Sequence, residues 1–261
     1  MKRMTARSFS RQVLGWACVI ALLGLWEAVG RRDTSGLFPP FSDAMVETVD
    51  LLRSDALTDD ILPSVVRALI GFVMGSAVAI ALGTALGWWR ALHPWTTAAL
   101  EFLRAVPVPA LVPLAVVLYG STDVMKVAII ALGAFWPVLL NTADGVRRVE
   151  PGYIESARIY TSGSSLAVLR RVVLPAATPQ IMVGLRIGLA VSLILMVVSE
   201  MFGASSGLGY LILQSQRLYA LTSMYAGVVI LALIGLLLTG LFSAIEKRAM
   251  FWFDGMKGRT P

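Results

Sequence analysis

Few residues in this 261-residue chain are of a type that does chemistry. It holds one cysteine, Cys18, inside an apolar segment, and one histidine, His93, in a short loop. These two residues cannot build an intramolecular disulfide or a His- or Cys-based metal site. The sequence also has no Gly-rich loop ending in Lys-Ser/Thr, no His-Glu-x-x-His and no Gly-x-Ser-x-Gly. We therefore expect no catalysis and no metal or cofactor in this chain.

Some ionisable residues lie in or beside long apolar segments, and four of them are candidates for a role in the membrane. Glu101 and Arg104 stand three residues apart and could pair on one helical face. Arg186 can extend to an interface, and Glu200, near the end of its segment, is expected to be half-exposed. A charge at mid-depth in a bilayer costs about 2.5–3.5 kcal/mol, so each must be an interfacial anchor, a local pair or part of a pathway.

The charges that are missing also carry information. A proton- or sodium-coupled carrier usually needs acids or broken-helix carbonyl sites near the membrane midplane, and a channel commonly shows a filter or a charged ring. The apolar segments of this chain have no acid at mid-span. If the chain moves a solute against a gradient, the energy must enter through another subunit.

The composition is that of a membrane protein. Hydrophobic residues make up 57% and charged residues 15% of the chain, against roughly 25% charged in soluble domains. A soluble enzyme and a disordered chain are both excluded. The formal net charge of +6 is an orientation signal, and the cations do not form the aromatic-interleaved basic runs that bind nucleic acid.

Six apolar windows predict six transmembrane helices, and their lack of period-two alternation excludes barrel strands. The predicted organisation is a tail at 1–12, a first span at 13–30, an extracytoplasmic segment at 31–63, a core at 64–245 containing a cytoplasmic loop at 144–180, and a tail at 246–261. Within the core the windows are 64–89, 96–119, 125–143, 181–203 and 225–245. The first window also has some features of a secretory signal peptide, although Glu27 and its length argue against one.

The positive-inside rule orients these spans. Most of the 22 Lys and Arg residues fall on the side of the N-terminus and of the 144–180 loop, which predicts that both termini are cytoplasmic. The segment 31–63 then lies outside. Its apolar positions predict an amphipathic surface helix, which we prefer to a dedicated partner-binding element; they are Ala44, Val49, Leu51, Leu52 and Leu57.

Small residues and prolines mark where helices meet or break. Glycines at helical spacing place small side chains on one face and predict close helix packing; they are Gly71, Gly75, Gly83 and Gly87 in the second span and Gly184 and Gly188 in the fifth. Pro107, Pro109 and Pro113 interrupt the third span, either to line a pathway or only for packing. The turn from Gly203 to Tyr210 is a candidate gate.

The long loop at 144–180 predicts two short helices. Pro151 suits the first turn of one helix, Gly163 its left-handed stop, and Ser164 or Ser165 the cap of the next, which Pro175 separates from the following span. Tyr153, Ala157 and Tyr160 would share one face of the first helix. That face could dock in a partner's groove or rest on lipid head groups.

This loop resembles the Glu-Ala-Ala loop of ATP-binding-cassette importer permeases. Glu155-Ser156-Ala157 matches its start, and Val172-Val173-Leu174-Pro175 its Ile-x-Leu-Pro end. Other stretches, taken in order, are similar to the subfamily that serves nitrate, sulfonate, taurine and bicarbonate. These stretches are Leu37-Phe38-Pro39-Pro40, Ser64-Val65-Val66-Arg67, Gly71-Phe72, Arg104-Ala105-Val106-Pro107, Pro113-Leu114, Gly120, Asn141-Thr142 and Ser206-Gly207-Leu208-Gly209-Tyr210.

The resemblance implies an all-α, six-span, type I permease of the inner membrane, paired with a second permease copy. It would bind cytoplasmic ATPase subunits that carry ATP and magnesium, and an extracytoplasmic solute-binding protein. The ATPase-coupling residues would be Tyr153, Glu155, Ser156, Ala157, Tyr160, Thr161, Gly163, Leu174 and Pro175. The chain departs from the family where Thr161 replaces a usual glycine, and Glu155 to Pro175 is one residue longer.

The resemblance and the residue pattern together give candidate pathway residues, namely Pro107, Pro109, Pro113, Arg186, Glu200, Ser206 and Gly207. Two rival functions are a self-contained channel or secondary carrier, and an integral membrane enzyme built on the dispersed acids Glu101, Asp144 and Glu200. The sequence identifies neither the solute nor whether the permease pair is a homodimer or a heterodimer.

Overall fold

The structure, a computed structural model, describes residues 6–89, 100–161 and 163–251, with side chains from residue 14 onward. His93, Ser162, residues 1–5 and 252–261 of the predicted tails and the start of the third span lie outside the described residues. The described chain is helical. Its helices are α1 (Ala6–Arg32), α2 (Phe41–Arg53), α3 (Leu62–Trp88), α4 (Val108–Tyr119), α5 (Asp123–Arg147), α6 (Pro151–Tyr160), α7 (Ser165–Val168), α8 (Leu174–Met201), α9 (Leu208–Arg217) and α10 (Leu221–Ala249).

Five helical stretches in the described chain are long and apolar enough to cross a membrane: Leu14–Arg32, Leu57–Trp88, Asp123–Arg147, Ser165–Met201 and Leu221–Ala249. They correspond to five of the six predicted spans. In the remaining predicted span, 96–119, the described residues 100–104 are helical and are followed, after a break, by the apolar helix α4. The break falls before Pro107; Pro109 stands in the first turn of α4 and Pro113 inside it.

The chain divides into two compact units, residues 1–59 with 211–232, and residues 60–210 with 233–261. In the first unit an aromatic cluster holds the loop before α2. The ring of Trp26 lies 5.2 Å from that of Phe41 and 5.8 Å from that of Tyr225, and its indole Nε1 donates to Pro39 O at 3.1 Å. Gly30 is in close contact with Pro40, where an added Cβ would come within 2.6 Å of the proline backbone.

The segment 31–63 contains the helix α2. Ala44, one of the predicted apolar positions, is buried together with Thr48, whereas Val49 and Leu52 are exposed. Glu27 accepts a hydrogen bond from the Ser42 amide at 2.9 Å in the first turn of α2. The packed face is thus set by where α2 meets its neighbours in this unit, which its own hydrophobic pattern does not reveal.

The second unit is framed by α3, α5 and α8. Glycines make their backbones meet: a Cβ on Gly75 would lie 2.2 Å from Ala131 O, and one on Gly83 2.7 Å from Leu139 O. The successive partners of Gly71, Gly83 and Gly87 advance along α5, so α3 and α5 run parallel. A Cβ on Gly184 would lie 3.0 Å from Pro137 O and one on Gly188 3.3 Å from Ala134 O, so α8 runs antiparallel to α5.

The loop after α6 joins α8 without a full break. Two of the predicted signals operate: Gly163 has φ +79°, and the Ser164 hydroxyl caps α7 by accepting from the Ala167 amide at 3.4 Å. The predicted separation at Pro175 is wrong. A π-helical turn at Leu169–Val173 leads from α7 into α8, and Pro175 lies in the first turn of α8.

Candidate functional sites at the two ends of one unit

The helix α6 stands between the end of α5 and the start of α7 because of local signals. Pro151 opens it, and the Thr161 hydroxyl donates to Ala157 O at 2.8 Å at its end. The Gly163 amide then donates to Arg158 O at 3.0 Å, which satisfies one of the last carbonyls of the helix. The helix therefore has fixed ends although most of its side chains are exposed.

One predicted feature of α6 is wrong. Tyr153, Ala157 and Tyr160 do not form one exposed face: Ala157 is 9% exposed, whereas Tyr153 is 64% and Tyr160 90% exposed. Ala157 belongs to a buried cluster built from the ends of α5 and α8 and the turn between them. The cluster's other buried members are Val146, Val149, Val168, Val173, Ala177 and Ile181. The small residue thus anchors the helix, and the aromatic residues stay outside.

A groove of about 320 Å³ lies beside this anchor. Glu155, Ile154 and Arg158 of α6 line one wall, and Gly87 and Trp88 at the end of α3 line the other. Glu155 and Ser156 are exposed, as is Gly163, while Leu174 and Pro175 are partly buried where α8 begins. Side chains of both charges and an apolar floor make this a surface suited to contact with another protein.

The opposite end of the same unit contains a buried ion pair. Arg67 of α3 is 7% exposed and Glu200 of α8 is 1% exposed. Arg67 Nη1 lies 2.9 Å from Glu200 Oε1, and its Nε lies 2.8 Å from Oδ1 of Asp123, at the start of α5. The prediction of a half-exposed Glu200 is wrong, because α3 and α5 cover the end of α8 there.

Lys126, one turn into α5, is also buried, with its Nζ 3.7 Å from Asp123 Oδ1. Ser64 is fully buried, and its hydroxyl lies 2.8 Å from both carboxylate oxygens of Glu200. We call Ser64, Arg67, Asp123, Lys126 and Glu200 the buried charge cluster. Charge-assisted hydrogen bonds, which are roughly twice as strong as neutral ones, join α3 to α8 in this cluster. Ion pairs of Arg67 and Lys126 with Asp123 add the start of α5.

The glycine turn, residues 203–209, is held by this cluster and by Asp60. Its backbone amides donate outward in succession: Gly207 to Asp60 Oδ1 at 2.7 Å, Leu208 to the Ser64 hydroxyl at 2.7 Å, and Gly209 to Glu200 Oε2 at 3.0 Å. These amides begin α9, where acceptors are favoured. Arg67 Nη2 adds a 3.3 Å contact to the Ser206 hydroxyl.

Two glycines of the turn are there to leave room. A Cβ on Gly207, which has φ +123°, would lie 2.4 Å from Glu200 Cδ. A Cβ on Gly209 would lie 2.4 Å from Val197 O. Any side chain at either position would push the turn away from the carboxylate.

The other predicted pathway charges behave differently. Arg186 of α8 forms an ion pair with Glu246 of α10 rather than reaching an interface alone. Glu101 and Arg104 are both exposed, and the ion pairs of the described chain do not include one between them. Pro107, Pro109 and Pro113 shape the break before α4 and its first two turns.

Sequence reasoning gave no site role to four cluster residues, Ser64, Arg67, Asp123 and Lys126, although Ser64 and Arg67 lie in a stretch that carries the family resemblance. A signal for Arg67 exists. Arg67 stands four residues before Gly71, on the same helical stripe as the packed glycines. A cation on a stripe that must be buried requires an acid opposite it. The acid near the end of the fifth span that lies on the same side of the membrane as Arg67 is Glu200.

The chain was compared with known proteins. Residues 71–250 match the family described as binding-protein-dependent transport system inner membrane component. Among curated relatives, the aliphatic sulfonates transport permease protein SsuC of Bacillus subtilis is 29% identical over 95% of this chain and 92% of its own length. The taurine transport system permease protein TauC of Escherichia coli is 30% identical over 93% and 91%, and the nitrate import permease protein NrtB of Leptolyngbya laminosa 26% over 95% and 91%.

These matches agree with the helical architecture. The family match begins within α3 and ends just beyond α10, so it covers both the 144–180 loop and most of the buried charge cluster. With its several apolar helices, the chain is a multi-pass protein of the inner membrane. It belongs to the binding-protein-dependent transport system inner membrane component family and is the permease subunit of an ATP-binding-cassette importer.

Proposed function

We propose that ATP and magnesium are bound and ATP is hydrolysed by a separate cytoplasmic ATPase subunit, and that α6 is the helix which that subunit grips. The observation that carries this proposal is the split of α6 into a buried anchor, Ala157, and exposed aromatic residues, Tyr153 and Tyr160. The exposed side, with Glu155 and the groove beside it, is available to a partner. Large exposed aromatic residues are typical anchors of protein interfaces.

The packing of Ala157 determines which helices follow a displacement of α6. Ala157 packs with Val146 at the end of α5 and Val173 before α8, so a displacement of α6 is passed to both helices. Because α5 and α8 are packed backbone to backbone by Gly184 and Gly188, they move as a pair. A partner that binds one arrangement of α6 more tightly would shift the permease between outward- and inward-facing states.

The test is a charge reversal on α6. Glu155→Lys should leave membrane insertion intact and abolish co-purification of the ATPase, because Glu155 is exposed and lines the groove. Asp55→Lys is the matched control, since Asp55 is an exposed acid that the proposed topology places on the extracytoplasmic side. Full ATPase recovery with Glu155→Lys, or equal loss with both variants, would contradict the docking role.

The proposed assembly has two copies of this chain, with both termini cytoplasmic and an extracytoplasmic solute-binding protein as donor. The positive-inside bias of the Lys and Arg residues supports this orientation. Cysteine labelling on intact cells checks it: positions in 31–63 should react with an impermeant reagent from outside, and positions in 144–180 only after permeabilisation. The reverse pattern would overturn the topology.

The proposed solute is a small molecule bearing an oxyanion group. The names of the relatives support this class, because sulfonates, taurine and nitrate all present such a group. Proteoliposomes containing the whole transporter should take up at least one of taurine, an alkanesulfonate or nitrate when ATP and the solute-binding protein are supplied. Uptake without any ATPase subunit would instead favour a self-contained carrier.

The proposed pathway is lined by Pro107, Pro109 and Pro113 at the break before α4 and closed on the extracytoplasmic side by the glycine turn, with Ser206 and Gly207. The proline break supports this because the carbonyls it frees require partners or a polar cavity. The turn supports it because it joins the end of α8 to α9, so any opening of α8 must move it.

A further inference from the structure

We propose that the Glu200 carboxylate is the latch of the glycine turn, positioning residues 203–209 in their closed shape, and that Arg67 ties this latch to α3 and α5. The inference rests on the proposed function, in which the turn closes the pathway. It assigns the closing to one buried carboxylate and its partners. Glu200, Ser64 and Arg67 act as positioning residues for the turn, without contacting the solute.

Three hydrogen-bond donors converge on the Glu200 carboxylate. Glu200 receives the Gly209 amide at 3.0 Å, the Ser64 hydroxyl at 2.8 Å and Arg67 Nη1 at 2.9 Å. These donors come from the turn and from α3, and Glu200 itself belongs to α8. One carboxylate therefore fixes the relative positions of three segments. Bonds to a buried charge strengthen in a low dielectric, and loss of this acceptor leaves the Gly209 amide without its partner.

Backbone amides of the turn bond to the buried charge cluster and to Asp60. Gly209 donates to Glu200, Leu208 to the Ser64 hydroxyl, which itself contacts Glu200, and Gly207 to Asp60. A Cβ on Gly207 would lie 2.4 Å from Glu200 Cδ, so the turn lies directly against the carboxylate. When the carboxylate is displaced, the closed shape loses the acceptor of the Gly209 amide and the acid that the Ser64 hydroxyl contacts.

Arg67 keeps a partner when the latch opens. Its guanidinium already bridges two acids, Glu200 and Asp123. The side chain of Asp123 is 68% exposed and that of Glu200 is fully buried, so the two acids hold Arg67 from the surface and from the interior. A guanidinium presents five donors in a rigid fork, so Arg67 can keep Asp123 while releasing Glu200. Opening then leaves no buried cation unpaired, which keeps its cost within reach of a partner's binding energy.

The experiment places a reporter in the turn. In a chain with Cys18 replaced by Ala, Leu208→Cys introduces a thiol at a position that is fully buried in the closed turn. Its rate of reaction with a membrane-impermeant maleimide measures turn opening, and Ser205→Cys, at an exposed position, gives the rate without a barrier. Labelling requires no ATPase, so the result stands apart from the docking proposal.

We expect Glu200→Gln to raise the labelling rate of Leu208→Cys at least tenfold, and Ser64→Ala to raise it about threefold. Ser64→Ala strands no buried charge and so tests the latch even where Glu200→Gln fails to fold. Glu246→Gln, which removes the ion pair between α8 and α10, is the matched control and should leave the rate unchanged. Unchanged labelling in both latch variants, or an equal rise in the control, would overturn the proposal.

A second readout separates a latch from a merely structural pair. In the assembled transporter, Glu200→Gln should raise ATP hydrolysis in the absence of solute several-fold. A turn that opens without solute would stimulate the ATPase as the solute-loaded transporter does. A structural defect alone would lower hydrolysis together with the yield. If the variant associates normally with the ATPase and its labelling is unchanged, the latch is rejected and the proposed function stands. If the parent chain itself does not associate with the ATPase, the proposed function is rejected.

Discussion

At one end of the α3–α5–α8 unit, Arg67, Glu200 and Ser64 are buried and bond to one another; at the other end, α6 leaves Tyr153 and Tyr160 exposed. The two ends share the same glycine-packed frame. They differ in where their interactions are completed. The buried charge cluster finds its partners within the chain and so specifies one geometry, whereas α6 has a fixed backbone and leaves its aromatic side chains for another molecule.

This difference separates two kinds of mutational effect. Changes at the charged end should act first on the stability of the chain, because a buried charge without its partner costs more than an exposed one. Changes on the exposed side of α6 should act first on assembly. Four sets of variants, each with a control or a contrasting change, test this difference between the two ends.

The largest effect is expected for Glu200→Ala. It leaves Arg67 with Asp123 alone and removes the acceptor of the Gly209 amide, and breaking such a pair costs about 3–5 kcal/mol. Chemical unfolding in detergent measures it. Glu246→Ala removes an ion pair whose arginine is largely exposed and should cost about 1 kcal/mol or less. Similar losses in the two variants would end the distinction between the ends.

Next is the frame that joins the ends. Gly75→Val places a side chain where a single Cβ would already lie 2.2 Å from Ala131 O, and overpacking of this kind costs about 1–3 kcal/mol. Hydrogen exchange should speed up in both the glycine turn and α6, since α3 and α5 extend between them. Gly24→Val, where no atom lies within 4 Å of the added Cβ, should change neither. A response confined to one end would show that the ends are independent.

The third substitution concerns α6. Tyr153→Ala with Tyr160→Ala should leave unfolding within about 0.5 kcal/mol of the parent, because both side chains are exposed. The affinity for the ATPase subunit, measured by titration in detergent, should fall at least tenfold. Ala157→Leu provides the contrast, since it overfills the buried cluster and should lower stability. Weakened folding in the tyrosine variant would show that α6 packs more closely than the structure indicates.

The sequence predicted those features of both ends that local chemistry decides. Pro151, Gly163 and Ser164 give the bounds of α6 and the start of α7, because capping and a left-handed stop depend on a few adjacent residues. These signals need no knowledge of what lies across the molecule.

What the sequence did not reveal depends on distant contacts. Arg67 and Glu200 are 133 residues apart, and Glu200 seemed half-exposed because the end of α8 is covered only once α3 and α5 are in place. Similarly, the spacing of Tyr153, Ala157 and Tyr160 showed a possible face and not which residue of it packs inward. In both cases the deciding fact is the partner surface, which periodicity within a single helix cannot supply.

The smallest effect sharpens the contrast within α6 itself, using its two glycines. Gly163 has φ +79°, so Gly163→Ala should cost about 1 kcal/mol. Gly152 lies inside the helix with open space around it, so Gly152→Ala should stabilise it by about 0.5–1 kcal/mol. Hydrogen exchange of the Thr161 amide, which bonds to Ala157 O, should therefore change in opposite directions, by roughly fivefold for each 1 kcal/mol. If α6 were ordered only on binding its partner, the amide would exchange freely in both variants, and the exposed end would be an unfolded segment rather than a preformed docking helix.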